Sequence, residues 1–437
     1  MVQSPAHTTT STTPPGRGHR PAGRVAGIGP TIFATVTAEA VRTGAANLGQ
    51  GFPDDDGPAE MLRIAADAIL GGDNQYGPGP GVAQLREAVA RDRRNRWGQQ
   101  VTADDVLVTV GATEAIAASV LGLVDEGQSV VTLEPTYDAY TAAVGLAGAT
   151  VRPVRLRLST TGTTGTTGTG STGVRRWSLD REAFAAAVAG PGTAAVLLNT
   201  PHNPTGTVLG RGDLEFIADC VRGTDIVVIS DEVYERLTFD GEHIPFATLD
   251  GMADRTVTIS SAAKSFNVTG WKTGWAIAVP ELLGPVTAAK QFLTYVGVTP
   301  LQPAVAWALD NADAWSRDWA RTLRSRRGRL TTALRDAGME VLGSDGTYYV
   351  ITDISPLGLT GADGNPMSAE EFCRRLPAAV GVAGIPVSAF VNDRAAADPS
   401  DPVHTLVRWT FCKNDETLDL AAVRLRSGVK VHLAGGE

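Results

Sequence analysis

Seven short apolar runs recur between residues 105 and 279: 105–110 (DVLVTV), 129–133 (SVVTL), 150–156, 194–199 (AAVLLN), 225–230 (DIVVIS), 255–260 (RTVTIS) and 274–279 (GWAIAV). Each is long enough for a strand and too short for a buried helix. Stretches with helical patterning lie between several of them, as at 112–124, 136–147 and 211–222, and 81–97 (GVAQLREAVARDRRNRW) reads as a surface helix. Strands apolar on both faces need cover on both, so the pattern predicts an α/β fold: a mostly parallel sheet sandwiched by helices. After residue 300 a long helical stretch, 301–337, leads into a smaller α+β region. Strands are expected there near 347–352 and 405–411, and helices near 368–380 and 415–427.

A chain of 437 residues fits two or three domains of ~150 residues. The expected division is a disordered tail over 1–27, a segment 28–55 packing with the smaller domain, a large domain over 56–310 and a small one over 311–437. Residues 159–173 (STTGTTGTTGTGSTG) form a low-complexity insertion, read as a flexible surface loop. The net charge of −9 implies no basic face, so neither nucleic acid nor an anionic membrane is an expected partner. Cys220, Cys373 and Cys412 are odd in number and far apart, which points to neither zinc nor disulfides and fits a reducing cytoplasm. No apolar run approaches the ~20 residues of a membrane helix. The Ser/Thr/Pro-rich first 24 residues lack the apolar core of a secretory signal.

In open α/β sheets ligands bind beyond the carboxyl ends of the strands, and several runs end in reactive or polar residues. The run 227–230 leads into Asp231, with Tyr234 three positions on; Asp231 could equally cap the following turn. LLNTPHNPTG (197–206) places Asn203 in a Pro-rich turn, which could be only a turn. VTVGATEAI (108–116) runs from a strand through Gly111 into a helix beginning at Ala112 and Thr113, a junction that can bind an anion but is common in α/β proteins. The run 256–260 delivers Ser261 and Lys264, with Lys272 eight residues later. The chain contains only five lysines against 33 arginines. A desolvated lysine can lose its proton and attack a carbonyl, which arginine cannot do. A reactive amine, a carboxylate, a helix N-terminus and polar turns together match the needs of pyridoxal 5′-phosphate.

On these residues the chain resembles the fold-type I, pyridoxal phosphate-dependent class I/II aminotransferases. The resemblance runs from about Ile28 to the end through nine motifs in the family's order: NLGQGFPD (47–54), NQYGPGPG (74–81), GATEAI (111–116), EPTYDAY (134–140), NTPHNPTG (199–206), SDEVYE (230–235), SSAAKSFNVTGWKTGW (260–275), GTYYV (346–350) and RWTF (408–411). It is most similar to the branch of kynurenine, glutamine and methionine aminotransferases and actinobacterial N-succinyldiaminopimelate aminotransferases. The resemblance implies an aspartate aminotransferase-like fold whose large domain holds a seven-stranded sheet. It makes Lys264 the Schiff-base lysine and proton carrier and Asp231 the partner of the pyridinium nitrogen. Asn203 and Tyr234 would bond the ring hydroxyl oxygen, and Tyr137 would stack on the ring. Ala112, Thr113, Ser261 and Lys272 would hold the phosphate, joined by Tyr76 from the neighbouring subunit of a homodimer. Arg408, helped by the Gly51 backbone, would clamp the substrate α-carboxylate; Asn203 also belongs to that substrate set.

The implied activity is transfer of the α-amino group of an amino acid to a 2-oxo acid by ping-pong chemistry through Lys264. The alternative is the same cofactor diverted to β/γ-elimination, replacement or carbon–carbon bond formation. A regulator carrying an aminotransferase-like domain would need a DNA-binding module, and only about 24 tail residues precede the motifs. No metal is expected: His202, His243 and His404 lack metal spacing and read as surface or turn residues, and Asp54–Asp56 reads as a solvated turn. Three departures from the family stand out: Ala263 where glycine is usual, Ser265 where threonine is usual, and QFLTYVGVTPLQP (291–303) where the succinyldiaminopimelate branch has a Ser-Gly-Gly run.

Overall fold

The computed structural model describes residues 22–25, 31–161, 173–392, 398 and 400–433. Most of the expected tail (1–21 and 26–27) and of the Thr/Gly insertion (162–172) lies outside them. Seven strands, β1 (Val106–Val110), β2 (Ser129–Glu134), β3 (Thr150–Arg155), β4 (Thr193–Asn199), β5 (Val227–Asp231), β6 (Thr256–Ser261) and β7 (Thr273–Ile277), form one sheet in the order β1-β7-β6-β5-β4-β2-β3. Every pair is parallel except those made by β7, which runs antiparallel to β1 and β6. The link from β6 to β7, residues 262–272, is too short for a helical crossover, so β7 must return in the opposite direction.

The apolar strands bury both faces. Along β5, Val228 packs with Val131, Val196 and Phe246 on one side, while Ile229 packs with Leu197, Val257 and Ile259 on the other. Strand side chains alternate in direction, so an unbroken apolar run requires helices on both sides. Gly111–Leu123 and Pro280–Leu293 pack together over one face, and Arg181–Val188 and Arg211–Val221 over the other. In the smaller region the four-stranded antiparallel sheet runs Glu340–Val341, Tyr349–Asp353, Leu406–Thr410, Ile385–Pro386. Helices Asp313–Asp336, Ala369–Ala379 and Asp415–Leu433 cover it. Ala46–Asn47 pairs in parallel with Val382–Ala383 and so ties the N-terminal segment to this region. Among the described residues no helix is long and apolar enough to cross a membrane.

Three expectations are corrected. The stretch 301–337 is not one helix: it breaks at Ala312 between Gln302–Asn311 and Asp313–Asp336. Asp54 and Asp55 are not merely solvated: Asp54 pairs with Lys413 and accepts from the Asn414 amide, and Asp55 pairs with Arg326. The helix Ala83–Trp97 has the expected exposed face but also buries Arg93, which is 1% exposed and pairs with Glu232 at 2.7 Å and Glu235 at 2.5 Å. His243, expected at the surface or in a turn, is buried in the same cluster, with Nε2 3.1 Å from Glu232, whereas His202 lies in the turn after β4 as expected, though buried there.

Arg93 neutralises two carboxylates beneath the end of β5, and its removal strands both in a desolvated site. Arg93→Met is expected to lower the unfolding free energy by about 3–5 kcal/mol in urea titrations. A loss under about 1 kcal/mol would show that the cluster is not a structural anchor.

Candidate active site

Strand register assembles the site. Asn199 at the end of β4 lies opposite Asp231 at the end of β5, and Asp231 lies opposite Ile259 of β6. β6 ends at Ser261 and passes into the single turn Ala262–Ser265, which carries Lys264. Because β7 is antiparallel, its first residues enter at this same edge. Thr273 pairs with Val110, which sets Lys272 beside the start of the helix Gly111–Leu123.

A cavity of about 690 Å³ opens over these strand ends. Ten of the twelve residues expected from sequence line it: Gly51, Ala112, Thr113, Tyr137, Asn203, Asp231, Tyr234, Ser261, Lys264 and Lys272. Arg408, fully buried on its strand, sits behind this lining. Its Nη1 donates to Asn203 Oδ1 at 2.9 Å and its Nη2 to the Gly49 carbonyl at 2.8 Å. Tyr349, Phe390 and Phe33 surround its guanidinium with ring centroids at 4.0, 4.7 and 5.3 Å, while Nε has no partner in the protein. Tyr76 lies outside the cavity, 82% exposed, edge-on to Tyr295.

The turn bearing Asn203 is pinned from β4: Asn199 donates to the Asp231 carbonyl at 2.9 Å and accepts from the Asn203 amide at 2.7 Å. Gly51 must be glycine for packing, because a Cβ there would fall 1.9 Å from the Tyr349 hydroxyl; its carbonyl accepts from Tyr348 Oη. Ala263 lines the cavity next to Lys264, so its methyl takes space inside the site. Tyr140, on the helix Asp138–Leu146, escaped sequence reasoning. Its hydroxyl donates to Asp231 Oδ2 at 2.6 Å and its ring packs edge-on against Tyr137. The signal was its place one helical turn after Tyr137, which puts both tyrosines on one face.

The charges are tuned against their ordinary states. Burial pulls the Lys264 amine down to about 8, opposed by the Asp231 charge. Burial pushes Asp231 up to about 6, against the pull of the Tyr140 hydrogen bond and the Val233 amide. The fit to pyridoxal phosphate follows from the donor set. No side chain caps the helix Gly111–Leu123, and Gly111, at φ +73°, keeps that end open beside Lys272; a Cβ there would meet Lys272 Nζ at 3.2 Å. Uncapped amides, an ammonium and two hydroxyls suit a phosphate. A desolvated carboxylate suits a pyridinium, and a low-pKa amine suits an aldehyde.

Because Lys264 titrates lower in the folded chain than its ordinary 10.5, its charge opposes folding below about pH 8. Cofactor-free Lys264→Met is therefore expected to be more stable than the parent by roughly 2–3 kcal/mol at pH 7. The advantage should shrink as pH rises from 8 to 10.5 in denaturation series; a pH-independent difference would contradict the burial argument.

Comparison with known proteins agrees with this geometry. The family model for aminotransferase class I and II matches residues 43–425. The chain is 51% identical over 399 residues to the probable N-succinyldiaminopimelate aminotransferase of Mycobacterium tuberculosis, covering 90% of this chain and 95% of that one. It is 35% identical over 408 residues to the methionine aminotransferase of Escherichia coli, covering 93% and 98%. The solved structure of N-succinyldiaminopimelate aminotransferase from M. tuberculosis superposes with a TM-score of 0.84 at 49% identity, over 93% of this chain and 99% of that one. With its lysine, carboxylate and anion cradle at one sheet edge, the chain belongs to the class I and II aminotransferases and is a pyridoxal phosphate-dependent transaminase of amino acid metabolism.

Proposed function

We propose that the transamination is carried by Lys264 and by the residues that the strand ends gather around it. The supporting observation is an amine with its pKa lowered to about 8, set in a cavity beside the buried Asp231. When bound, pyridoxal phosphate supplies a conjugated ring that draws electron density from the substrate Cα. Lys264 Nζ would hold the cofactor's aldehyde carbon and, as an amine of lowered pKa, would take the proton from the substrate Cα and carry it to that same cofactor carbon. Asp231 would hold a positive charge on the ring nitrogen, with the Tyr140 hydrogen bond favouring its carboxylate form. Asn203 and Tyr234 would bond the ring hydroxyl oxygen, and Tyr137 would stack on the ring. Ala112, Thr113, Ser261 and Lys272 hold the phosphate. Arg408 clamps the substrate α-carboxylate; its planar fork suits two carboxylate oxygens, and Gly51 and Asn203 border the same position.

The named relatives transaminate, and nothing in the site favours the elimination reading. N-succinyldiaminopimelate, from the 51%-identical relative, is the first amino donor to test, followed by methionine and kynurenine from the relatives at 35%. The segment 291–303 and the Ala263 methyl are the features that would make this chain's choice differ. We further propose a cytoplasmic homodimer in which Tyr76 reaches the phosphate of the second subunit, and a division into a segment 28–55, a large domain 56–310 and a small domain 311–437. Three free thiols fit a reducing compartment, and an exposed tyrosine with no contact to its own cavity fits a role across an interface.

Lys264→Ala is expected to abolish both the cofactor's bound-state visible absorbance and turnover, and retained turnover would overturn its role. Arg408→Ala should lower kcat/KM for α-amino acids by 10²-fold or more, since about 3 kcal/mol of charge-assisted bonding is lost. A donor screen that follows consumption of the 2-oxo acid separates the two chemistries. Ammonia released with no acceptor present would establish elimination instead.

A further inference from the structure

Lysine is scarce in this chain, and one lysine is buried with backbone carbonyls as its hydrogen-bond partners and the Glu114 carboxylate near enough to favour its charge. Lys290, 2% exposed near the end of the helix Pro280–Leu293, directs its Nζ to the carbonyls of Tyr295 at 2.5 Å and Gly79 at 3.4 Å. These carbonyls belong to two separate loops, 72–82 and 294–301. A second buried side chain joins the same loops. Gln302, 3% exposed, donates to the Gly297 carbonyl at 3.0 Å and accepts from the Val82 amide at 2.8 Å. A third tie comes from the neighbouring helix, where Glu114 accepts from Thr294 Oγ1 and from the Val110 amide at 2.6 Å.

The stitched loops hold a strained backbone. Tyr295 and Val298 lie in the left-handed region at φ 63° and 52°, which side-chain-bearing residues rarely adopt and a β-branched valine hardly at all. Such strain persists only where the surroundings over-determine it. Here the buried ammonium and amide do so, and the result is an outward display. Tyr76 and Tyr295 meet edge to face with centroids 5.5 Å apart, yet they remain 82% and 54% exposed. Burying a lysine and straining two residues is a costly way to order a surface loop unless the loop must present a side chain accurately.

We propose that Lys290, assisted by Gln302, is a positioning residue that fixes the loop pair so that Tyr76 meets the cofactor phosphate of a second copy of this chain. This rests on the reading that Tyr76 acts across the interface. A lysine suits the task because its ammonium is compact and tetrahedral and can point separate N–H bonds at two carbonyls, where a planar guanidinium would need more room. Lys290 touches neither cofactor nor substrate and acts through the loops alone.

The test is a pyridoxal phosphate titration of the cofactor-free protein, read by absorbance, for Tyr76→Phe, Lys290→Met and their double variant. Tyr76→Phe and Lys290→Met are each expected to weaken cofactor binding about tenfold, as loss of one hydrogen bond to a charged group would. The double variant should be no weaker than the weaker single, because both remove the same contact. If Tyr76→Phe stays within twofold of the parent, the cross-subunit reading fails and this inference with it. If Tyr76→Phe weakens binding but Lys290→Met lowers only the melting temperature, or adds its own independent factor, Lys290 is merely structural and the inference alone is overturned. Should Lys290→Met not fold, Gln302→Leu cuts the other stitch and must reproduce the same non-additivity.

Discussion

Asp231 and Lys264 are both taken out of water at the carboxyl edge of the sheet, and each is pushed toward its neutral form by the burial that makes it useful. A carboxylate at about 6 and an amine at about 8 are costly to keep charged out of water, so the surroundings must hold them in place. Register does so at the backbone level. Asn199, Asp231 and Ile259 lie side by side, and the turn after Ser261 brings Lys264 within reach of the Asp231 charge. Below the edge, Arg93 balances Glu232 and Glu235, so the strand end carrying Asp231 is anchored by a buried ion cluster. Desolvation of charged groups collects at this edge because the rest of the sheet is packed with apolar side chains on both faces.

The smaller region contributes the other half of the site. Arg408 sits in a box of three aromatic rings and already donates to Asn203 and to Gly49. Its guanidinium is oriented before any substrate arrives, which reduces the ordering cost of binding a carboxylate. The same arginine fixes the Asn203 amide through Oδ1, so the groups assigned to substrate and to cofactor share one hydrogen-bond chain. The N-terminal segment enters this arrangement through Gly49 and Gly51 and is held by Lys413, whose amine bonds the Phe52 carbonyl and Asp54.

Much of this was legible along the chain. All seven strands of the large sheet appear as apolar runs within a residue or two of their final bounds, because continuous burial on two faces leaves a continuous apolar signature. The residues gathered at the cavity were readable as motifs: most sit where an apolar run ends, while Lys272 precedes one and Gly51 belongs to the N-terminal segment. Other features had no linear trace. Arg93 looked like one of several arginines on a surface helix, and His243 like a loop histidine. Both are buried because Glu232 and Glu235, some 140 residues from Arg93, are turned inward by β5. Tyr140 was passed over because its partner Asp231 lies 91 residues away. Lys290 carries no motif; its function depends on two loops that meet only when Gln302–Asn311 packs against Ala83–Trp97.

By itself the sequence determined the alternation of strands and helices, the chemistry of the amine and the carboxylate, and the family through nine motifs in order. These depend on local apolar patterning and on residue identity, which the linear chain carries in full. Only the tertiary structure decided which charges are desolvated, how the antiparallel β7 brings Lys272 back to the helix Gly111–Leu123, and that Lys290 and Lys413 are buried. Those outcomes depend on pairs far apart in sequence, and desolvation is a property of what surrounds a group in space rather than of its neighbours along the chain.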